Sequence, residues 1–356
     1  QIFFGFLRFC IGSAKEVPGA LKEADWKGLY ASAQRQCLVG VLFDGIKKLP
    51  AEYVGMKKEL LLQWMAESQM LVKANVRLND AAIQVSEWFR KKGFRTCILK
   101  GQGNALMYPN PYSRTPGDID IWVEGGDERV ISFVRSISPH EKACYHHIEF
   151  PSYKGVEVEV HYRPSFLLCF WHNRKLQKYY ERVKDEQFSH RVMLGEQGEI
   201  AIPTVVFNLI FQLTHIYAHL MNEGIGLRQL VDYYYVLISD DLLLIRDRVQ
   251  KELKELGLWK FAGAIMYIMQ EVFGMPASRL IVPPNEKYGK FVLNEVLEAG
   301  NFGKHDARNR FGRSQLGHNL QRVYRDIRLV RYFPGEALCE PLFRIWHFFW
   351  RMKNKK

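Results

Sequence analysis

Apolar residues between positions 52 and 92 recur at helical spacing: Trp64, Leu71, Ala74, Leu78, Ala81, Val85 and Trp88 step by threes, fours and sevens, with no proline among them. The pattern predicts one long helix or two stacked ones, closed by Gly93. The texture then changes to short β-type runs at 96–99, 119–123, 144–150 and 156–161. A crossover helix is expected over 128–136, and Tyr153-Lys154-Gly155 reads as the turn of a hairpin between the last two runs. After Pro203 helical spacing returns nearly to the end, broken at Gly224, Gly257, Pro283-Pro284, the glycine-rich stretch 300–317 and Pro334. The expected architecture is α+β: an N-terminal helical segment (1–92), a mixed-sheet core (93–200) and an all-helical C-terminal domain (201–356).

Composition narrows the class. A chain of 356 residues that is 47% hydrophobic is long and apolar enough for a real core, which excludes a disordered chain and a disulfide-stapled miniprotein. The apolar stretch 1–12 carries Arg8 and is too short for a spanning helix, so an amphipathic first helix is expected, and no other segment reads as transmembrane. Six cysteines without a Cys-x-x-Cys pair read as reduced, and a cytoplasmic location is expected. The excess of 50 Lys and Arg over 38 Asp and Glu, a net +12, favours polyanionic partners such as nucleotide phosphates, RNA or an anionic lipid face.

The chemistry concentrates in two strands. In Gly117-Asp118-Ile119-Asp120-Ile121-Trp122-Val123, alternation puts Asp118 and Asp120 on one face and the isoleucines on the other. Paired carboxylates repel, and a shared divalent cation makes such a pair tolerable. In Val156-Glu157-Val158-Glu159-Val160-His161 the valines bury one face while Glu157, Glu159 and His161 share the other, so either glutamate is a candidate third ligand. Three carboxylates on two strands suit two-metal phosphoryl or nucleotidyl transfer. The competing reading of each strand is a solvated face or exposed edge.

Upstream, Ile98-Leu99-Lys100-Gly101-Gln102-Gly103 reads as a strand, a glycine turn and a helix start, where backbone amides bind anions. Downstream, His215 and His219 stand four apart on an expected helix. They would need a third ligand from His146, His147 or His161 to hold zinc. In the alternative, His215, Arg228 and Asp232 line the cleft between helices and sheet, with Arg228 on a phosphate; in another, Arg228 and Asp232 form a helix-surface ion pair. Between 304 and 331 lie Lys304, Arg308, Arg310, Arg313, Arg322, Arg325, Arg328 and Arg331, the last four at every third residue. They are expected to form one basic face able to contact RNA or a phosphorylated acceptor, or a merely solvated helix.

Strand, glycine turn, helix, Asp-x-Asp strand and later acidic strand together resemble the nucleotidyltransferase superfamily whose catalytic fold is shared with DNA polymerase beta. Leu99-Lys100-Gly101, Tyr108-Pro109, Arg114, Gly117-Asp118-Ile119-Asp120 and Val158-Glu159-Val160-His161-Tyr162 more closely resemble an uncharacterised bacterial nucleotidyltransferase family. His215, His219, Gly224 to Gln229 and Asp232 are similar to its helical half. The resemblance implies a nucleotidyltransferase-type mixed sheet flanked by helices, with the active site facing the C-terminal domain. It implies transfer of a nucleoside monophosphate from a triphosphate such as ATP to an acceptor hydroxyl, with release of pyrophosphate. Asp118, Asp120 and Glu159 would be catalytic and bind two Mg²⁺ ions. Lys100, Gly101, Gln102, Arg114 and Arg228 would contact the nucleotide. The acceptor, whether protein, RNA or small molecule, is not implied. A non-catalytic nucleotide- or RNA-binding protein on the same fold is the alternative.

Overall fold

The computed structural model describes residues 1–354 apart from 197, 305 and 309–314, so Arg310 and Arg313 of the basic segment lie outside the described residues. Helices α1 (Ile2–Ile11), α2 (Trp26–Arg35) and α3 (Val39–Ile46) precede α4 (Lys58–Lys91), a single unbroken helix of 34 residues. The α+β centre follows: β1 (Thr96–Ile98), the one-turn α5 (Gln102–Ala105), β2 (Ile119–Val123), α6 (Gly126–Ile137), β3 (His147–Tyr153) and β4 (Val156–His161). Next come α7 (Phe170–Ser189) and the small ribbon β5 (Arg191–Met193) and β6 (Glu199–Ala201), which sequence alternation did not reveal. Helices α8 (Val205–Asn222), α9 (Leu227–Leu237), α10 (Leu242–Glu255), α11 (Trp259–Glu271), α12 (Glu286–Ala299), α13 (Gln315–Leu329) and α14 (Pro334–Lys353) complete the chain. Among the described residues no helix is long and apolar enough to cross a membrane.

The sheet has the order β1-β2-β4-β3, with β2 and β4 parallel and the two outer pairs antiparallel. A parallel pair needs a crossover, and α6 followed by β3 supplies it. Lys154 and Gly155 both have positive φ, at 51° and 76°, which closes the tight β3–β4 turn with the twist a hairpin needs. Strand β4 is therefore interior, which removes the exposed-edge reading of its glutamates. Strand β3 begins at His147, three residues later than alternation implied, because the amide of Cys144 turns back onto the His147 carbonyl at 2.9 Å.

Alternation assigns the two sheet faces to different cores. Ile119, Ile121, Val123, Val158 and Val160 pack with the second half of α4 and with α6. Trp122 points the other way, into a core built from α1 to α3 and the C-terminal helices, where its ring lies 4.6 Å from Phe188 and 5.8 Å from Phe207. Asp118 and Asp120 share Trp122's parity, so they open toward the helical half.

The loop before β2 is seated by two devices. Asn75 on α4 donates to the carbonyls of Tyr112 and Arg114 at 3.0 and 2.9 Å. Gly40 on α3 lies so close that a Cβ there would stand 2.3 Å from the Ser113 carbonyl oxygen. Gly40→Ala must push backbone away, and overpacking of this kind costs about 1–3 kcal/mol. Chemical denaturation is expected to show a loss in that range; an unchanged midpoint would contradict the close approach.

Candidate active site

The parallel register sets Asp120 directly beside Glu159 and Trp122 beside His161. Oxygens of Asp118, Asp120 and Glu159 lie within 4.8 Å of one another, whereas Glu157 is exposed and outside this group. Glu159 is thus the glutamate that joins the aspartates. Asp120 is 3% exposed. A buried carboxylate needs compensation, and two cations supply it: Lys100 Nζ at 2.9 Å and His161 Nε2 at 3.0 Å.

These contacts set the protonation states. Burial pushes the Asp120 carboxyl up, but Lys100 and then His161 outweigh it and hold Asp120 well below the usual carboxylate range. Asp118 responds oppositely: the Asp120 charge beside it, followed by burial, raises it to about 6. Burial disfavours the His161 cation, yet its hydrogen bonds to Asp120 and Glu159 raise it to about 9. His147 is lowered to about 4, by burial first and the His161 charge second. The site holds more negative charge than its fixed cations neutralise at Asp118, the side open to the cleft.

The glycine turn behaves differently from its sequence reading. Gly101 adopts φ 56° and ψ −105°, a conformation suited to glycine. The amide of Gly103 is spent on the Lys100 carbonyl at 3.2 Å, and Gln102 is 2% exposed with its amide on Asn79. Gln102 is therefore turned into α4, away from the site. Lys100 and Gly101 do face the cleft.

A buried ion pair joins sheet to helices. Arg114 Nε and Nη2 donate to the two oxygens of Asp232 on α9, both at 2.8 Å, and the Tyr108 hydroxyl adds a bond of 2.6 Å. Asp232 therefore pairs with Arg114, not with Arg228 one helical turn away. Arg228 donates through Nη1 to the Thr115 carbonyl at 3.1 Å, and its Nε has no hydrogen-bond partner. Of the two arginines, Arg228 retains donors for an anion.

His215, Arg228 and Asp232 do line the cleft with Lys100, Asp118 and Asp120, as expected. His215 Nε2 is 3.5 Å from Lys100 Nζ, and His219 bonds Glu223 at 2.7 Å, so this helical pair is partnered without an ion. The adjoining cleft, about 990 Å³, extends past His146, His147 and Glu159 to α13 and α14. It has room for a nucleotide and part of an acceptor.

The α13 arginines do not form one basic face. Arg325 is buried and donates to the Glu223 carbonyl at 3.1 Å, while Arg328 bonds Glu295 at 3.2 Å. Arg322 faces the cleft, 4.0 Å from Glu340, and Arg331 is exposed. Val323 and Ile327 stand exposed between them. Every third residue on a helix drifts around the axis, so the spacing spreads Arg322, Arg325 and Arg328 over different surroundings, and Arg331 lies past the end of α13 at Leu329.

Comparison with known proteins adds one finding. A family model described as "uncharacterised nucleotidyltransferase" matches residues 22–274, a span that contains every site residue from Lys100 to Asp232. Neither a curated protein nor a solved structure matches the chain.

Two variants test the charge arrangement. Since the fold opposes ionisation of Asp118, Asp118→Asn is expected to raise the melting temperature of the metal-free protein at about pH 8. Mg²⁺ is expected to stabilise the native protein but not this variant; equal Mg²⁺ shifts in both would contradict a cation at Asp118. Asp232→Ala leaves Arg114 buried and unpaired, and urea denaturation is expected to show a loss of about 3–5 kcal/mol. A loss below about 1 kcal/mol would mean that the bridge does not join the two halves.

Proposed function

Because the chain belongs to the uncharacterised nucleotidyltransferase family, we propose that it transfers a nucleoside monophosphate from a nucleoside triphosphate to an acceptor hydroxyl, releasing pyrophosphate. The observation that carries this reading is the convergence of Asp118, Asp120 and Glu159 oxygens in a cleft lined also by Lys100 and Arg228. The donor set is all oxygen, which suits Mg²⁺. Asp118, held up to about 6 by its neighbour, is the group a divalent ion relieves. The residues therefore fit two such ions, held by Asp118, Asp120 and Glu159. Bound there, the ions would lower the charge barrier at the α-phosphorus and make the acceptor hydroxyl more acidic.

The chain's own groups do the rest. Lys100, ion-paired to Asp120, is placed to exchange a carboxylate for a triphosphate oxygen without leaving the cleft. Arg228, with an unpaired Nε, offers a second cation to the leaving pyrophosphate. Trp122 and the cores on either side fix β2, so the aspartates present a rigid face that keeps donor and acceptor in line. The Arg114–Asp232 bridge positions α9, and through it Arg228, over that face.

The test is incubation of the protein with each labelled nucleoside triphosphate and Mg²⁺ in a cell extract, against Asp118→Ala/Asp120→Ala. The native protein is expected to label an extract component, and the double variant to label it about a thousandfold less, the equivalent of several kcal/mol of transition-state stabilisation. Triphosphate binding that is equal in both proteins, with no transfer to any component, would instead assign a non-catalytic nucleotide-binding role.

A further inference from the structure

Beside the carboxylate pair lies a group of imidazoles that nucleotidyl transfer leaves unexplained. His147 Nδ1 and His161 Nε2 stand 3.3 and 3.4 Å from the same oxygen, Glu159 Oε2, and each of the three residues places a ligand atom within 4.8 Å of those of the other two. Ligands on a tetrahedral zinc at about 2.0–2.1 Å are separated by edges of about 3.3–3.4 Å. The two edges that meet at Glu159 already have that spacing.

The orientation of the His161 ring points the same way. His161 Nδ1 approaches the Arg163 carbonyl at 3.3 Å, an acceptor that must receive the ring N–H. The Nε2 lone pair of neutral His161 then faces two carboxylates, Asp120 and Glu159, at 3.0 and 3.4 Å. In the metal-free protein a second proton on the ring meets both carboxylates, and a metal taken up there would replace that proton. A metal-binding histidine characteristically donates its remote N–H to a backbone carbonyl, as His161 does. On the opposite side, His147 Nδ1 faces both Glu159 Oε2 and, at 3.1 Å, His146 Nε2.

We propose that His147, Glu159 and His161 form a binding site for a first-row divalent ion of zinc type, separate from the aspartate pair and joined to it through Glu159. Imidazole nitrogen suits zinc and excludes Mg²⁺, which demands oxygen. Three protein ligands leave a fourth position, and these residues line the large cleft, so that position faces the space where an acceptor would enter. The site stands on its own geometry and does not require that the protein transfer nucleotides.

Zinc retention tests it without reference to activity. The protein, stripped with chelator and reloaded with Zn²⁺, is dialysed against excess Mg²⁺ and its metal content measured. One equivalent of zinc is expected to remain. His147→Ala, whose side chain is partly exposed, is expected to weaken retention at least tenfold with an unchanged circular dichroism spectrum. Asp118→Asn is expected to keep its zinc, which separates this site from the aspartate pair. Co²⁺ loading is expected to give the intense visible bands of tetrahedral nitrogen and oxygen ligation in the native protein and to lose them in His147→Ala. Zinc lost equally from native and His147→Ala proteins would overturn the proposal. Loss caused by Cys144→Ser but not by Glu159→Gln would overturn it too, placing the ion on Cys144, His146 and His147 instead. Absence of nucleotidyl transfer would leave the zinc result standing.

Discussion

In the centre of the sheet, β2 and β4 run parallel in a register that places Asp120 against Glu159, and every other feature of the site answers the repulsion this creates. Isoleucines and valines on the reverse face lock the register, since a slip by one residue would turn the acids into the apolar core. The carboxylates are therefore held together by hydrophobic packing rather than by attraction for one another. Such an arrangement persists only with cations close by. Lys100 and His161 provide two, and the elevated Asp118 marks where a further one is wanted.

The second constraint is the buried Arg114–Asp232 bridge. It fastens the loop entering β2 to α9, so the cleft is bounded on one side by the sheet and on the other by a helix that carries Arg228. Buried ion pairs add little net stability but penalise misregistration heavily. Here that property sets the relative position of aspartates and arginine, which neither the sheet nor the helical core determines alone. Two arginines that look alike in sequence thus divide the work: Arg114 joins the halves, and Arg228 keeps donors for an anion.

Local chemistry was readable along the chain, and long-range partnership was not. Alternation around Asp118, Asp120 and Glu159, the Lys154-Gly155 turn and the periodicity of α4 all depend on neighbours a few residues apart, and each took the expected form. The choice of Glu159 over Glu157 required the strand register, which only the sheet supplies. Gln102 was misplaced because a glycine turn does not say which side faces inward; Asn79 on α4 does. The α13 arginines appeared as one basic stripe because spacing ignores Glu223 and Glu295, which capture Arg325 and Arg328 from other helices. The placement of His146 against His147, and of His147 beside Glu159, depends on the turn that precedes β3, and alternation had absorbed that turn into the strand.

The proposed function requires a cation between the carboxylates of Asp118, Asp120 and Glu159. A crystal of the protein grown with Mn²⁺ and a non-hydrolysable nucleoside triphosphate tests it directly through the anomalous signal of the metal. Manganese is expected between these three side chains, with the Lys100 ammonium moved from Asp120 onto a phosphate oxygen. Ordered nucleotide with no manganese there, and Lys100 still bound to Asp120, would contradict it.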